Sequence, residues 1–141
     1  MKASFSIDNQ QDFYQKIQKY IGSKKQNYGR EDSIKISSKI GQGRIDRYLF
    51  SSGLELQIQE YLTKEPVSLT AEINYANLGM SWVVSGHYQY YLADQEFDLK
   101  AQQNILSYCN KVQGCFELQP NRRVVFLVVY MTIGWSDRIY Y

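Results

Sequence analysis

The sequence predicts one mostly β domain of the sandwich or jelly-roll type. A chain of 141 residues with 44% apolar residues has the size of one domain with a single core. An aromatic content of 15%, with thirteen Tyr against two Pro, favours strands because aromatic side chains pack well on pleated surfaces. About eight short segments with period-two patterns, about ten residues apart, are typical of a sandwich or jelly roll.

The first predicted element is a short amphipathic helix over residues 10–21. Its apolar residues recur at helical spacing and share one side. Either Asp8 or Asn9 can cap its start, and Gly22 follows its last turn, where helices commonly end. The pattern therefore indicates a helix with defined ends.

The stretch that follows the helix, residues 23–31, is polar and rich in lysine, which indicates a linker. Period-two alternation begins at Ile34. The sequence therefore divides into an N-terminal helix and linker, residues 1–33, and a β domain, residues 34–141.

The clearest predicted strand contains Leu54, Leu56 and Ile58 in alternation with polar residues. Because half-buried strands turn their apolar side chains inward, we expect these three residues to face the core. Glycine-containing turns bracket an earlier candidate strand over residues 44–50, so the two strands are expected to form a hairpin.

Glu60 continues this alternation and is expected to point toward the core. An inward carboxylate needs a partner, and a ligand cavity is one place to find it. The alternatives are a β-bulge, or a structural ion pair with Arg44, Arg47 or Arg123.

The longest apolar run, from Val124 to Ile133, is typical of a central strand that is covered on both faces. It has about half the length of a membrane span, and the first residues lack the apolar core of a signal peptide. We therefore expect a cytoplasmic protein without membrane contact. The other period-two segments span residues 67–73, 78–84, 88–92, 104–109 and 115–118.

Aromatic residues on these strands are candidates for the wall of one ligand cavity, because small-molecule pockets combine aromatic walls with a few polar groups. The alternative is that they simply fill the core. With Glu60, the candidate ligand-binding residues are Trp82, Tyr88, Tyr90, Phe126 and Tyr130.

Several kinds of chemistry find little support in the residues. A formal charge of +2 is too small for the electrostatic attraction typical of duplex-binding domains. The single histidine, His87, adjoins a predicted turn, where a surface role is favoured over a catalytic one. Cys109 and Cys115 are too few for a disulfide scaffold, so we expect reduced thiols, with a disulfide across the intervening turn as the alternative.

Three segments, residues 43–61, 78–86 and 120–133, carry a family resemblance. The first contains Gly-Leu-Glu-Leu from Gly53 and the acidic-aromatic pair Glu60-Tyr61; the second ends in Ser-Gly; the third is a Pro-x-x-Arg-Val turn entering a long apolar strand. In this order they resemble the N-terminal sensor domain of AraC/XylS-type transcriptional regulators of the pyochelin-responsive type.

The resemblance implies a cupin-like double-stranded β-helix, a jelly roll that follows the short N-terminal helix. It implies a homodimer that binds a small-molecule effector, in some relatives a ferric siderophore, and signals to paired helix-turn-helix motifs. The residues after the last strand leave no room for those motifs, so we expect no direct nucleic-acid contact by this chain. Catalytic cupins hold a metal with several histidines, which His87 cannot supply, so we expect no enzyme activity and no cofactor.

A second reading stays open. The chain is then a stand-alone β-barrel for protein interaction or dimerisation without a ligand, in which the amphipathic helix and an exposed aromatic strand form the contact.

Overall fold

The computed structural model describes residues 1–23, 31–50 and 53–132, and within these ranges it contains one helix and eleven strands. The helix has the bounds that the sequence predicts. In chain order the elements are β1 (Lys2–Ile7), α1 (Gln10–Ile21), β2 (Glu31–Lys35), β3 (Gly41–Leu49), β4 (Leu54–Thr63), β5 (Val67–Ile73), β6 (Asn77–Ser85), β7 (His87–Leu92), β8 (Gln95–Lys100), β9 (Asn104–Cys109), β10 (Val112–Leu118) and β11 (Val124–Thr132).

The strands form two sheets that pack around one core, as in a jelly roll. One sheet has five strands in the order β1-β5-β10-β7-β8, and the other has six in the order β2-β3-β4-β11-β6-β9. From β4 onward the chain passes from one sheet to the other at every connection except the β7–β8 hairpin. Side chains from both sheets therefore fill the same core, as expected for the predicted fold class.

Helix α1 is capped at both ends by its own sequence. The Oδ1 atom of Asn9 accepts a hydrogen bond from the backbone N–H of Asp12 at 2.7 Å, and the N–H of Gly22 donates to the carbonyl of Gln18 at 3.1 Å. Its buried face, which includes Ile17, packs onto the core cluster and contacts β1. These interactions fix the helix beside the sheets.

Strand β1 was not predicted from the sequence pattern. It pairs in parallel with β5 along its whole length and forms one edge of the five-stranded sheet. The expected division at residue 34 therefore separates segments that are in contact, and most of the expected linker, residues 24–30, lies outside the described residues.

The predicted hairpin is confirmed, because β3 and β4 pair antiparallel. Gly43 lies in β3 with a φ of 132°, and a Cβ atom there would collide with the backbone carbonyl of Glu60 on β4. Glycine is thus required at this close approach of the two backbones.

The central position predicted for the last strand is confirmed, because β11 lies between β4 and β6. Val124, Phe126 and Val128 on its inner face are buried in the core. The expectation that both faces are covered was wrong for the part of the chain that the structure describes: no helix or strand there lies over the outer face of the six-stranded sheet.

The predicted facing of β4 was also wrong. Its polar residues Glu55, Gln57 and Gln59 are buried inside, and the three apolar residues that alternate with them lie half-buried on the outer face. The polar residues tolerate burial because they hydrogen-bond to one another. The apolar residues can face outward because the neighbouring strands also carry apolar side chains on that face.

Candidate functional site

A cavity of about 120 Å³ lies between the two sheets beside α1. It exists because small residues face each other across the core, where larger side chains would otherwise meet. On the six-stranded sheet these are Gly79, Ser81 and Ser107, and on the five-stranded sheet they are Ala71 and Gly114.

Aromatic side chains form much of the wall. The rings of Tyr88 and Phe126 are stacked with their centroids 4.7 Å apart. The ring of Tyr130 meets that of Phe13 of α1 edge to face at 6.1 Å, so the helix closes one side of the cavity. Phe116 contributes from the five-stranded sheet.

The clearest unused hydrogen-bond donor in the wall belongs to Gln10, at the first position of α1. Its side chain is buried, with 8% of its surface exposed, and its Oε1 accepts a hydrogen bond from the hydroxyl of Tyr75 at 2.7 Å. Its Nε2 is also buried but finds no acceptor among the described residues. A buried donor without an acceptor costs about 1–3 kcal/mol, and a ligand acceptor would relieve that cost.

The tyrosines of the wall are neutral. Burial raises the pKa of Tyr88, Tyr90 and Tyr130, although a hydrogen bond between Tyr88 and Ser81, with oxygens 2.7 Å apart, partly opposes the shift for Tyr88. Among the described lining residues there is no Asp, Glu, Lys, Arg or His. The wall therefore offers hydroxyl and amide groups on an otherwise apolar surface.

A buried chain of hydrogen bonds leads from the cavity to α1. Gln59, which lines the cavity, donates to Gln57 at 2.7 Å, and Gln57 donates to Glu55 at 2.6 Å. Glu55 is paired with Arg47, whose guanidinium lies over the ring of Tyr14 on α1 at 4.4 Å from the centroid. Polar groups on β4 thus connect the cavity wall to the helix.

Four of the six candidate ligand-binding residues line this cavity: Tyr88, Tyr90, Phe126 and Tyr130. The structure places the other two elsewhere. Glu60 lies on the outer face of β4 and pairs with Arg123, which is the structural alternative that the sequence left open.

Trp82 lies on the outer face of β6 and is 48% exposed, so its expected place in the cavity was wrong. The cause is the same as for Glu60. In β6, Met80 and Trp82 face outward, whereas Ser81 and Val83 face inward. Because both faces of this sheet carry apolar side chains, the apolar pattern does not determine which face is buried.

Sequence reasoning missed Gln10, Gln59 and Ser81. The one available signal for Gln59 is the polar residue at every second position of β4. Such alternation normally indicates the side of a strand that faces solvent, so it predicts the wrong side here. Gln10 reads as an ordinary first-turn helix residue, and only the packing of α1 against the sheets brings it to the cavity.

The remaining reactive side chains are those of His87, Cys109 and Cys115. His87 begins β7 and is paired in register with Lys100 on β8. Cys109 and Cys115 both contribute to the cavity wall; they are free thiols, and burial raises the pKa of Cys109. No His, Cys, Asp and Glu side chains within residues 1–23, 31–50 and 53–132 form a group of three or more that could hold a metal ion. No helix in these ranges is both long and apolar enough to cross a membrane.

Comparison with solved structures identifies the architecture as a cupin fold. The cupin domain of Schizosaccharomyces pombe Cnp3 aligns with a TM-score of 0.56 at 8% identity, over 79% of this chain and 93% of the other. A cupin protein from Bacteroides fragilis aligns with a TM-score of 0.51 at 11% identity, over 84% and 96%. A predicted oxalate decarboxylase from Thermotoga maritima aligns with a TM-score of 0.52 at 13% identity, over 73% and 92%. At such identities the likeness shows the fold alone, and it confirms the predicted fold class.

Sequence comparison is more specific. No curated protein matches the chain. The family described as the regulatory protein PchR N-terminal domain matches residues 42–140, which is more than half of the chain and includes the three segments that carried the resemblance. This chain therefore belongs to the family of PchR-type regulatory N-terminal domains.

Proposed function

We propose that this chain is the effector-sensing domain of an AraC-type transcriptional regulator, and that the effector binds in the cavity between the sheets. The observation that carries the proposal is the unused, buried amide donor of Gln10 in an aromatic cavity without charged lining residues. Membership of a regulatory family supports sensing over catalysis.

The cavity selects for a neutral and mostly apolar group of about the size of one aromatic ring. An apolar cavity of about 150 Å³ holds a benzene molecule, and this one is slightly smaller. One hydrogen-bond acceptor on the ligand would satisfy the Nε2 group of Gln10. A ferric siderophore remains a candidate effector, but it would place one ring in the cavity or bind after α1 has moved.

The signal would leave the cavity through α1. The helix supplies Gln10, Phe13 and Ile17 to the cavity wall, so a ligand that changes their packing also changes the position of the helix. The buried ion pair of Arg47 gives the helix a second connection to β4. The DNA-binding half on which such a signal acts would lie outside these 141 residues, in a cytoplasmic regulator that works as a dimer.

A thermal-shift experiment with two probes of nearly equal size tests the proposal. Acetophenone has a ring and a carbonyl acceptor, whereas ethylbenzene has a ring and no acceptor. Both should raise the melting temperature of the 141-residue chain, because both bind only the folded state. Acetophenone should bind about 5–10-fold more tightly, as expected for one added hydrogen bond.

Variants connect the result to the cavity. Gln10→Met should remove the preference for acetophenone, whereas Gln15→Met, the same change on the exposed side of α1, should preserve it. Gly79→Leu should abolish binding of both probes, because its side chain would extend into the cavity. A panel of ferric and iron-free siderophores belongs in the same screen. If neither the probes nor any member of the panel binds, the sensor proposal is wrong.

The second candidate function is a dimerisation or interaction module without a ligand. The uncovered apolar side chains on the outer face of the six-stranded sheet favour it. A stable dimer that binds none of the screened molecules would support this function in place of sensing.

A further inference from the structure

The outer face of the six-stranded sheet carries a continuous apolar surface, which we call the outer patch. It extends over four neighbouring strands, β4, β11, β6 and β9. Its most exposed side chains include Leu106 at 66% and Tyr108 at 57%. The outer patch consists of Leu54, Leu56, Ile58, Leu78, Met80, Trp82, Val84, Leu106, Tyr108, Val125, Leu127, Val129 and Met131.

The strand register makes the outer patch contiguous, because apolar residues on neighbouring strands lie directly beside each other. One row crosses all four strands through its centre, and a parallel row lies beside it. These rows are Leu56, Val129, Met80 and Leu106, and Leu54, Met131, Leu78 and Tyr108.

The five-stranded sheet shows how the same domain builds a face that meets water. Apart from Cys115 and Tyr91, its outer positions are polar or charged on every strand. One row that crosses the whole sheet consists of Lys2, Ser68, Glu117, Gln89 and Asp98. The two outer faces of one domain thus have opposite chemistry, although sheets of this kind need only one apolar face to fold.

The size of the outer patch suits a protein interface. The width of four neighbouring strands and the length of each strand within the patch give about 20 by 20 Å, or about 400 Å² in projection. A stable interface buries about 800 Å² of accessible surface on each partner. Protruding side chains have a larger accessible area than their projection, and residues at the margin of the patch, such as Tyr48 and Phe50, add to it. Together they can supply that area.

The charge distribution identifies the partner. None of the residues of the outer patch is charged; the Arg44–Asp46 and Glu60–Arg123 pairs lie at its margin. A complementary partner must therefore present an apolar face of its own. A second copy of this chain does so, and a two-fold axis through the outer patch brings each copy's apolar rows against those of the other.

We propose that the outer patch is the interface of a symmetric homodimer in which two six-stranded sheets pack face to face. The sequence suggested a contact made by the amphipathic helix together with an exposed aromatic strand, whereas this interface uses the face of a sheet and not the helix. It does not depend on the cavity, which lies on the opposite side of the same sheet.

Sedimentation equilibrium of the 141-residue chain tests this proposal. The wild-type chain should sediment at about 33 kDa, twice the 16.5 kDa of one chain. Leu106→Lys and Met80→Lys should each weaken self-association by at least about 30-fold, because each buries charges in an apolar interface. Both sites are exposed in the single chain, so the circular dichroism spectrum should not change.

The matched control is Gln113→Lys, at an exposed position on the outer face of the five-stranded sheet, which should leave the dimer intact. A monomeric wild-type chain, or a dimer unaffected by both lysine variants, would overturn the proposal. A monomeric full chain together with a chain shortened after Thr132 that self-associates would instead indicate that the outer patch binds the chain's own last residues. The lysine variants should bind the cavity probes as the wild-type chain does. Probe binding therefore distinguishes a failure of the dimer proposal from a failure of the sensor proposal.

Discussion

The guanidinium of Arg47 and the carboxylate of Glu55 form a salt bridge of 2.6 Å inside the six-stranded sheet. Both side chains are almost fully buried, at 3% and 2% exposure. Gln57 donates to the second carboxylate oxygen, and Arg47 also donates to Gln11 of α1. The pair joins β3, β4 and the helix that closes the cavity.

Removal of one member of this pair should be costly. Glu55→Leu leaves the Arg47 charge buried without its carboxylate, and we expect the free energy of unfolding to fall by about 3–5 kcal/mol. Urea denaturation followed by circular dichroism measures the change. The double variant Arg47→Met/Glu55→Leu should recover most of the loss, since it removes both charges. A double variant as unstable as Glu55→Leu would contradict this account.

The ion pair on the outer face should behave differently. Glu60 and Arg123 are partly exposed, so water screens their interaction, and Glu60→Gln should change the free energy of unfolding by less than about 1 kcal/mol. The same variant should leave the affinity for acetophenone unchanged. Isothermal titration calorimetry checks the second point. A loss of probe binding in Glu60→Gln would contradict the outward placement of this side chain.

The domain should lose stability at alkaline pH. Burial raises the pKa of Tyr88, Tyr90 and Tyr130 above their ordinary value, so in the unfolded chain these groups ionise near pH 10 while the folded chain keeps their protons. The unfolded state then binds fewer protons, and stability falls as pH rises above about 10, whereas below that pH this contribution is constant.

Phenolate absorbance during alkaline titration, together with urea melts at each pH, measures this effect. The absorbance of the buried tyrosines should appear only as the protein unfolds. Replacement of Tyr88 and Tyr90 by Phe should make the decline in stability shallower. Ionisation of all tyrosines in a chain that stays folded would show that the wall is open to water.

Two glycines allow backbone strain to be separated from a steric clash. Both Gly43 and Gly53 have positive φ angles, but a Cβ at Gly53 has open space around it, whereas one at Gly43 meets the carbonyl of Glu60. Gly53→Ala should cost about 1–2 kcal/mol of stability from strain alone. Gly43→Ala should cost more, because β3 and β4 must also move apart. Thermal melts of both variants provide the comparison, and equal losses would contradict it.

The sequence predicted the elements better than their orientation. Spacing alone located α1, and turn residues located the β3–β4 hairpin, because both signals are local. The facing of β4 could not be predicted from a local signal. Its apolar residues, such as Leu54 and Leu56, lie on the outer surface, while Gln57 and Gln59 are buried and hydrogen-bonded to each other. Alternation identifies the core-facing side of a strand only when the apolar residues are those that pack inside the domain and the other face is polar.

The candidate site shows the same division. Tyr88, Tyr90, Phe126 and Tyr130 were predicted because their strands were assigned in the correct phase. The cavity itself depends on Gly79, Ala71 and Gly114, small residues on strands of two different sheets, whose proximity follows only from how the sheets are built and packed.

The position of Gln10 has a consequence for how such domains diversify. The match to the family begins at residue 42, whereas Gln10 and the rest of α1 precede it. The amide that we propose as the ligand's anchor is therefore outside the segment by which members are recognised. Substitutions in one turn of this helix could therefore redirect a regulator to a new metabolite without changing any residue in the segment that identifies the family. Effector preferences of family members should be compared by the sequence of the helix that precedes this segment.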